Sequence, residues 1–216
     1  MDIVVQIQKD LDLGKFSAGL FLDFKRAFET VNHEILLSKL EGAGVRGPAL
    51  EWFRYYLRDR TQFVHCNGIN SGTLKNTTGV PQGSVLGPYL FLVFINDLAL
   101  LPFNGKITLF ADDTSLFYSG HCADDIHRQM QLDLNLLCKW LARNQLLLNP
   151  LKSNYIIFRK PASVCPLLPP LIFNGKPVVM VQFVKFLGLY IDEFLHWDVH
   201  IDSLIRKLAP LDSYSV

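Results

Sequence analysis

The order of elements predicts an α+β fold on the split βαβ (ferredoxin-like) plan, an antiparallel sheet backed by helices. Three observations carry it. The apolar run Leu20-Phe21-Leu22 ends at Asp23 and gives way to near-helical spacing. Residues 107–111 and 114–118 are β-prone and separated only by Asp112-Asp113, which demands a tight hairpin. Ile126, Met130, Leu134, Leu137 and Leu141 then mark a long amphipathic helix ahead of another strand at residues 155–158. A doubly wound parallel fold is the competitor, and the direct hairpin argues against it because parallel strands need a longer crossover.

Each element has a local reason. Phe24, Ala27, Phe28, Val31, Ile35 and Leu40 recur at helical steps after the first strand, so a helix is expected there. Gly42, Gly44 and Gly47-Pro48 end it, and Ala49, Trp52, Phe53, Tyr56 and Leu57 form the stripe of a second helix. Residues 62–78 alternate around Asn67-Gly68, the signature of a hairpin. Pro88 opens an apolar segment reaching residue 101, best read as a buried helix. Asn149-Pro150 turns the chain into the 155–158 strand, and Pro161, Pro166, Pro169 and Pro170 make a loop. A last strand pair is expected around residues 178–191, broken at Gly188, before a helix over 198–208 that opens a further unit.

Composition bounds the class. At 216 residues, half of them hydrophobic, the chain suffices for one substantial core. Its longest apolar runs, such as residues 89–95, fall far short of the ~20 residues of a membrane span. The N-terminus carries Asp2, Lys9, Asp10 and Asp12 without a basic-then-apolar leader, so the expected location is intracellular, in nucleus or cytoplasm, with no secretion. Cys66, Cys122, Cys138 and Cys165 lack CxxC spacing and are expected as free, mostly buried thiols. His196 and His200 stand four apart but outside any HExxH pattern, which favours ordinary surface or packing histidines. Twenty-one Lys and Arg against 20 Asp and Glu leave a net charge of +1. A protein that grips a polyanion normally shows a basic excess, so any such surface here is local or supplied elsewhere.

The sharpest chemical signal is acidic. Asp112 and Asp113 sit side by side between apolar strands, where mutual repulsion and desolvation both oppose their charge. A divalent cation relieves both, and Asp23 ends another apolar strand that would bring a third carboxylate to the same patch. The bland alternative is a hairpin turn, where Asp is common. A second candidate is Gly79-Val80-Pro81-Gln82-Gly83-Ser84-Val85-Leu86-Gly87-Pro88. Its glycines allow close backbone approach, Gln82 offers an amide at the crest, and the segment leads into a helix N-terminus. No Gly-Lys-Ser/Thr follows, so it is not a P-loop. A plain turn is the competing reading.

Together these segments resemble the reverse transcriptases of non-LTR (LINE-like) retrotransposons over nearly the whole chain. Leu22-Asp23-Phe24-Lys25-Arg26-Ala27-Phe28 looks like the first palm motif, and Gly79 to Pro88 running on through Ile95-Asn96-Asp97-Leu98 like the second. Phe110-Ala111-Asp112-Asp113-Thr114 is similar to the aromatic-Ala-Asp-Asp signature, with Phe where Tyr is commoner. Leu148-Asn149-Pro150-Leu151-Lys152 resembles the fourth motif and Phe186-Leu187-Gly188-Leu189-Tyr190-Ile191-Asp192 the primer-grip hairpin. Trp197 and His200-Ile201 extend the likeness. Glu29 departs from the pattern, standing where Asp is usual.

The resemblance implies a polymerase palm with residual fingers segments over residues 1–191 and the truncated start of a thumb over 192–216. With 22 residues ahead of Asp23, most of the fingers would be absent. Asp23, Asp112, Asp113 and the Phe24 carbonyl would hold two Mg²⁺ ions, with Mn²⁺ a possible substitute. Phe28 would exclude a ribose 2′-hydroxyl, against a plain core role on the helix face. Gln82 and Gly83 would meet the incoming nucleotide, Lys152 would serve the departing pyrophosphate as a general acid, and Phe186, Leu187 and Gly188 would grip the primer. The implied activity is RNA-directed DNA synthesis from dNTPs on an RNA template and a DNA primer, with no membrane involved. The alternative is a non-catalytic retrotransposon relic or nucleic-acid-binding module that keeps the palm. An RNA-dependent RNA polymerase fits less well, since those usually place Gly before the Asp pair and a smaller residue at the gate.

Overall fold

The computed structural model describes residues 2–208. The chain runs through α1 (Asp2–Asp12), β1 (Phe16–Asp23), α2 (His33–Gly42) and α3 (Pro48–Leu57) into a ribbon of β2 (Thr61–Gln62), β3 (His65–Cys66), β4 (Ile69–Asn70) and β5 (Leu74–Lys75). Next come α4 (Leu86–Ile95), β6 (Lys106–Phe110), β7 (Asp113–Gly120), α5 (Ala123–Asn144) and β8 (Asn154–Phe158). Then follow β9 (Leu171–Phe173), β10 (Lys176–Met180), the hairpin β11 (Phe183–Phe186) and β12 (Leu189–Asp192), and α6 (Asp198–Leu208). The part of the expected thumb at residues 209–216 lies outside the described residues.

A six-stranded sheet runs in the order β6-β7-β1-β8-β10-β9. Its first four strands realise the split βαβ plan, with β1 antiparallel to both β7 and β8 and the crossovers made by helices. The sheet is mixed rather than wholly antiparallel. β10 pairs parallel to β8 through Val179↔Asn154 and Met180↔Tyr155, because the proline-rich stretch and β9 supply a long enough connection.

Alternation along β1 sorts the core. Ala18, Leu20 and Leu22 meet Leu116, Tyr118, Tyr155 and Ile157 in the main cluster, which α2, α4 and α5 close with Leu36, Leu40, Phe91, Phe94, Leu134 and Leu137. Phe21, Ile156 and Phe158 point the other way, onto Ile7 and Leu11 of α1 and Val184 and Ile191 of the β11–β12 hairpin. Helices therefore cover one face while a helix and a hairpin cover the second. The sequence reading assigns no element to α1, although Ile3, Ile7 and Leu11 at four-residue steps are its signal.

Two further expectations change. The helix expected from Phe24 onward is an irregular segment with a single 3-10 turn at Ala27–Glu29, and α2 starts only at His33. Asn32 decides the start, since its side chain accepts from the Glu34 and Ile35 N–H groups. The helical spacing reflects Phe24, Ala27 and Val31 all reaching the core from irregular backbone. The cysteines are free as expected, but Cys66, Cys122 and Cys165 are exposed and Cys138 only half-buried, because they lie in the ribbon, before α5, in the proline loop and on the flank of α5. Among the described residues no helix is long and apolar enough to cross a membrane.

Candidate active site at the ends of the central strands

The β1–β7 ladder places Asp23 directly opposite Asp113 as its last pair. Residues opposed in this way lie about 5 Å apart at Cβ and point to the same face. Phe110 pairs with Asp113, so Ala111 and Asp112 form a two-residue hairpin turn. Ala111 takes a φ of 52°, a region where glycine is the usual occupant of such a turn. Strain of this kind persists only where neighbouring pairing over-determines the backbone, and the full ladder on both flanks does so.

Asp112 and Asp113 are exposed and Asp23 half-buried, so the carboxylates stand at the open end of the strands instead of between buried layers. Even so, the Asp113 carboxyl is held above the usual carboxylate range, by partial desolvation first and then by the charges of Asp112 and Asp23. Hard oxygen donors under mutual repulsion suit Mg²⁺. Among the described residues, no three carboxylate, imidazole or thiolate groups converge closely enough to chelate an ion as they stand. The backbone register brings the donors together; the side chains do not close on one point. A change of χ1 rotamer moves each carboxyl by ångströms without disturbing the ladder, so the donor set fits a divalent cation.

A cleft of about 350 Å³ opens beside these strand ends, lined among others by Asp23, Phe24, Phe28, Gln82, Asp112 and Lys152. It thus gathers parts of four of the expected motifs. Phe28 lines the cleft and packs on buried Phe91 with ring centroids 4.5 Å apart. The glycine loop is docked on the segment after β1. Val80 N–H donates to the Phe28 carbonyl at 2.8 Å, Gly79 N–H donates to the Val31 carbonyl at 2.8 Å, and His33 Nε2 lies 2.7 Å from the Gly79 carbonyl oxygen. Gly79 is required by contact, since a Cβ there would lie 2.8 Å from the Glu29 carbonyl oxygen. At Gly83, with φ +79°, the requirement is conformational: nothing lies within 4 Å of a Cβ, and the residue is not among those lining the cleft.

Phe186, Leu187 and Gly188 are not in this cleft. They form the turn region of the β11–β12 hairpin, with Leu187 and Gly188 both at positive φ. The Phe186 ring packs edge-on against Phe21 at 5.7 Å and Phe117 at 5.6 Å, so the hairpin is fastened beneath β1 and β7. Sequence reasoning missed Ser153, which is 1% exposed and whose hydroxyl accepts the Asp23 N–H at 3.1 Å. A lone serine after a lysine carries no signal of such a role.

The sheet order, the Asp23↔Asp113 pair at the β1–β7 ends and the adjoining cleft, which Asp23 and Asp112 line, have the architecture of a polymerase palm. The family described as "Reverse transcriptase (RNA-dependent DNA polymerase)" matches residues 6–191. The chain belongs to that reverse transcriptase family, and its relatives place it beside the enzymes of non-LTR retrotransposons. It is 30% identical over 208 residues to the probable RNA-directed DNA polymerase from transposon BS of Drosophila melanogaster, covering 93% of this chain and 23% of that protein. It is 28% identical to the RNA-directed DNA polymerase from mobile element jockey of the same species, covering 88% of this chain and 21% of the other. The chain thus spans less than a quarter of the curated relatives it matches. A structure of Candida tropicalis telomerase in complex with a TWJ fragment of telomeric RNA shares the fold, with a TM-score of 0.62 at 14% identity over 90% of this chain and 32% of that one.

Proposed function

We propose that this chain carries the catalytic palm of an RNA-directed DNA polymerase, which transfers a nucleotidyl group from a dNTP to a primer 3′-hydroxyl. The observation that supports it most is the Asp23↔Asp113 register pair, with Asp112 and Lys152 on the same cleft. Asp23, Asp112, Asp113 and the Phe24 carbonyl are the residues that would hold Mg²⁺. Two such ions, when bound, lower the pKa of the attacking hydroxyl and offset charge on the leaving pyrophosphate.

The chain's own residues do the rest. Phe28, held against Phe91, would form a fixed wall beside the sugar and exclude a 2′-hydroxyl. Gln82, on the cleft, would meet the incoming base pair, and Gly83 beside it would let a backbone approach closely. Lys152 supplies a proton or a positive charge to the departing pyrophosphate. A neighbouring groove of about 640 Å³ shares Glu29 and Gln82 with the cleft and carries Arg60, Gln62, Lys75 and Asn76. Its charge is mixed, since Lys75 is paired with Asp59 and Glu29 lines the same wall, so Arg60 is the cation there with which a template phosphate would pair.

Primer extension on an RNA template with Mg²⁺ and dNTPs tests the reading. Asp112→Asn is expected to lower the rate by on the order of 10³-fold, equivalent to about 4 kcal/mol of transition-state stabilisation. Synthesis that survives in Asp112→Asn would sink the assignment. A wild-type chain that binds primer–template without extending it would favour the binding-module alternative.

A further inference from the structure

The pairing between β1 and β8 contains a discontinuity that the proposed reaction does not yet use. Phe21 pairs with Asn154, so continuing that register would set Lys152 opposite Asp23 and Leu151 opposite Phe24. Leu148 stands opposite Phe24 instead, three residues earlier in the chain. Lys25 N–H donates to the Leu147 carbonyl at 2.7 Å and Asn149 N–H to the Asp23 carbonyl at 2.8 Å, which fixes the shifted pairing. The residues between are extruded from the sheet edge as a bulge, closed on itself by Lys152 N–H and Ser153 N–H donating to the Asn149 carbonyl at 3.2 and 2.9 Å.

Extrusion removes the backbone carbonyl that the Asp23 N–H would otherwise meet. The Ser153 hydroxyl takes its place at 3.1 Å, in a position that is 1% exposed. An Asp23 N–H without that acceptor would be left unpaired beside the end of the strand. One side chain thereby fastens both Asp23 and the bulge that carries Lys152, two groups that line the same cleft.

We propose that Ser153 is a positioning residue for nucleotidyl transfer, setting the Asp23 carboxylate and Lys152 in register with one another. The inference rests on the polymerase reading above. A hydroxyl-bearing side chain is required at this position, and volume alone does not replace it.

Ser153→Thr and Ser153→Val form the test pair, because they match in size and differ in the hydroxyl. Two readouts are compared in the full chain: primer-extension kinetics, and Mn²⁺ affinity from titration of the free-ion electron paramagnetic resonance signal. Ser153→Val is expected to lower kcat about tenfold or more while the dNTP KM moves less than about twofold, since misplacement of reacting groups costs rate before binding. Its Mn²⁺ affinity should fall at least severalfold, and Ser153→Thr should restore both. Wild-type behaviour in Ser153→Val overturns the inference alone, and so does an equal loss in both variants, which would point to volume. A wild-type chain that neither binds Mn²⁺ nor extends a primer overturns the polymerase reading, and the inference with it.

Discussion

Between Phe16–Asp23 and Asp113–Gly120 eight consecutive residue pairs stand in register, whereas the ribbon over residues 61–75 makes two ladders of two pairs each. Both are antiparallel. They differ in what lies behind them. The six inner residues of β1 are buried, with helices on one face and α1 plus a hairpin on the other. Every strand residue of the ribbon is exposed, Ile69 and Leu74 among them. Burial on two faces fixes register, because a one-residue slip would exchange the two clusters; nothing comparable holds the ribbon. Asp23 and Asp113 belong to the over-determined pairing, and the groove lined by Arg60, Gln62 and Lys75 belongs in part to the other.

The comparison breaks first under truncation of side chains. Phe91→Ala removes a fully buried ring that supports Phe28 and is expected to destabilise the chain by about 3–5 kcal/mol. Ile69→Ala in the ribbon should stay within about 0.5 kcal/mol. Urea melts of the two variants measure the contrast. A cost above about 2 kcal/mol for Ile69→Ala, in the range of buried aliphatic positions, would show that the ribbon packs on something in solution.

Glycines sharpen it next. Gly68 in the ribbon turn has φ +80° and open space around a Cβ, so Gly68→Ala meets only the left-handed backbone penalty of about 1–2 kcal/mol. Gly79 has φ +88° and a Cβ position 2.8 Å from the Glu29 carbonyl oxygen, so Gly79→Ala adds a backbone collision to that penalty. We expect about 2–3 kcal/mol from the two together, and displacement of the Gln82 loop from the cleft. Equal melting shifts for the two alanines would show that the docking of residues 79–80 on residues 28–31 is not maintained.

How far the sequence revealed these regions follows the same division. The tight hairpin at Asp112 and the long helix α5 were legible, because alternation and turn chemistry act over a few residues. The Asn67-Gly68 turn was legible for the same reason. The parallel β8–β10 pairing was not, since it joins residues across a proline-rich connection with no local pattern. Nor was the start of α2, where a cap by Asn32 overrode an apolar spacing that ran on from Phe24. Ser153 was invisible because its partner lies 130 residues away. Glu29 was seen as a departure from the motif, but its place on both the cleft and the neighbouring groove comes only from the fold.

The smallest expected effect concerns charge at the open end of the ladder. The Asp113 carboxyl is held above its ordinary value by partial desolvation, Asp112 and Asp23. A carboxyl raised in the folded state keeps its proton where the unfolded chain has lost it. Its contribution to stability is therefore full below the unfolded value near 3.8 and disappears as pH rises through the folded value. At neutral pH the charged wild type bears the repulsion, while Asp113→Asn does not. The side chain is exposed, so screening holds the difference to about 0.5 kcal/mol in favour of the variant, vanishing below pH ~3.8. Mg²⁺ should then reverse the order. At ten times its dissociation constant an ion bound only to the folded state adds about 1.4 kcal/mol to the wild type, and little to a variant that has lost a ligand. Thermal melts across pH, with and without Mg²⁺, read both effects, and a variant that stays the more stable in Mg²⁺ would detach Asp113 from any cation at the end of β7.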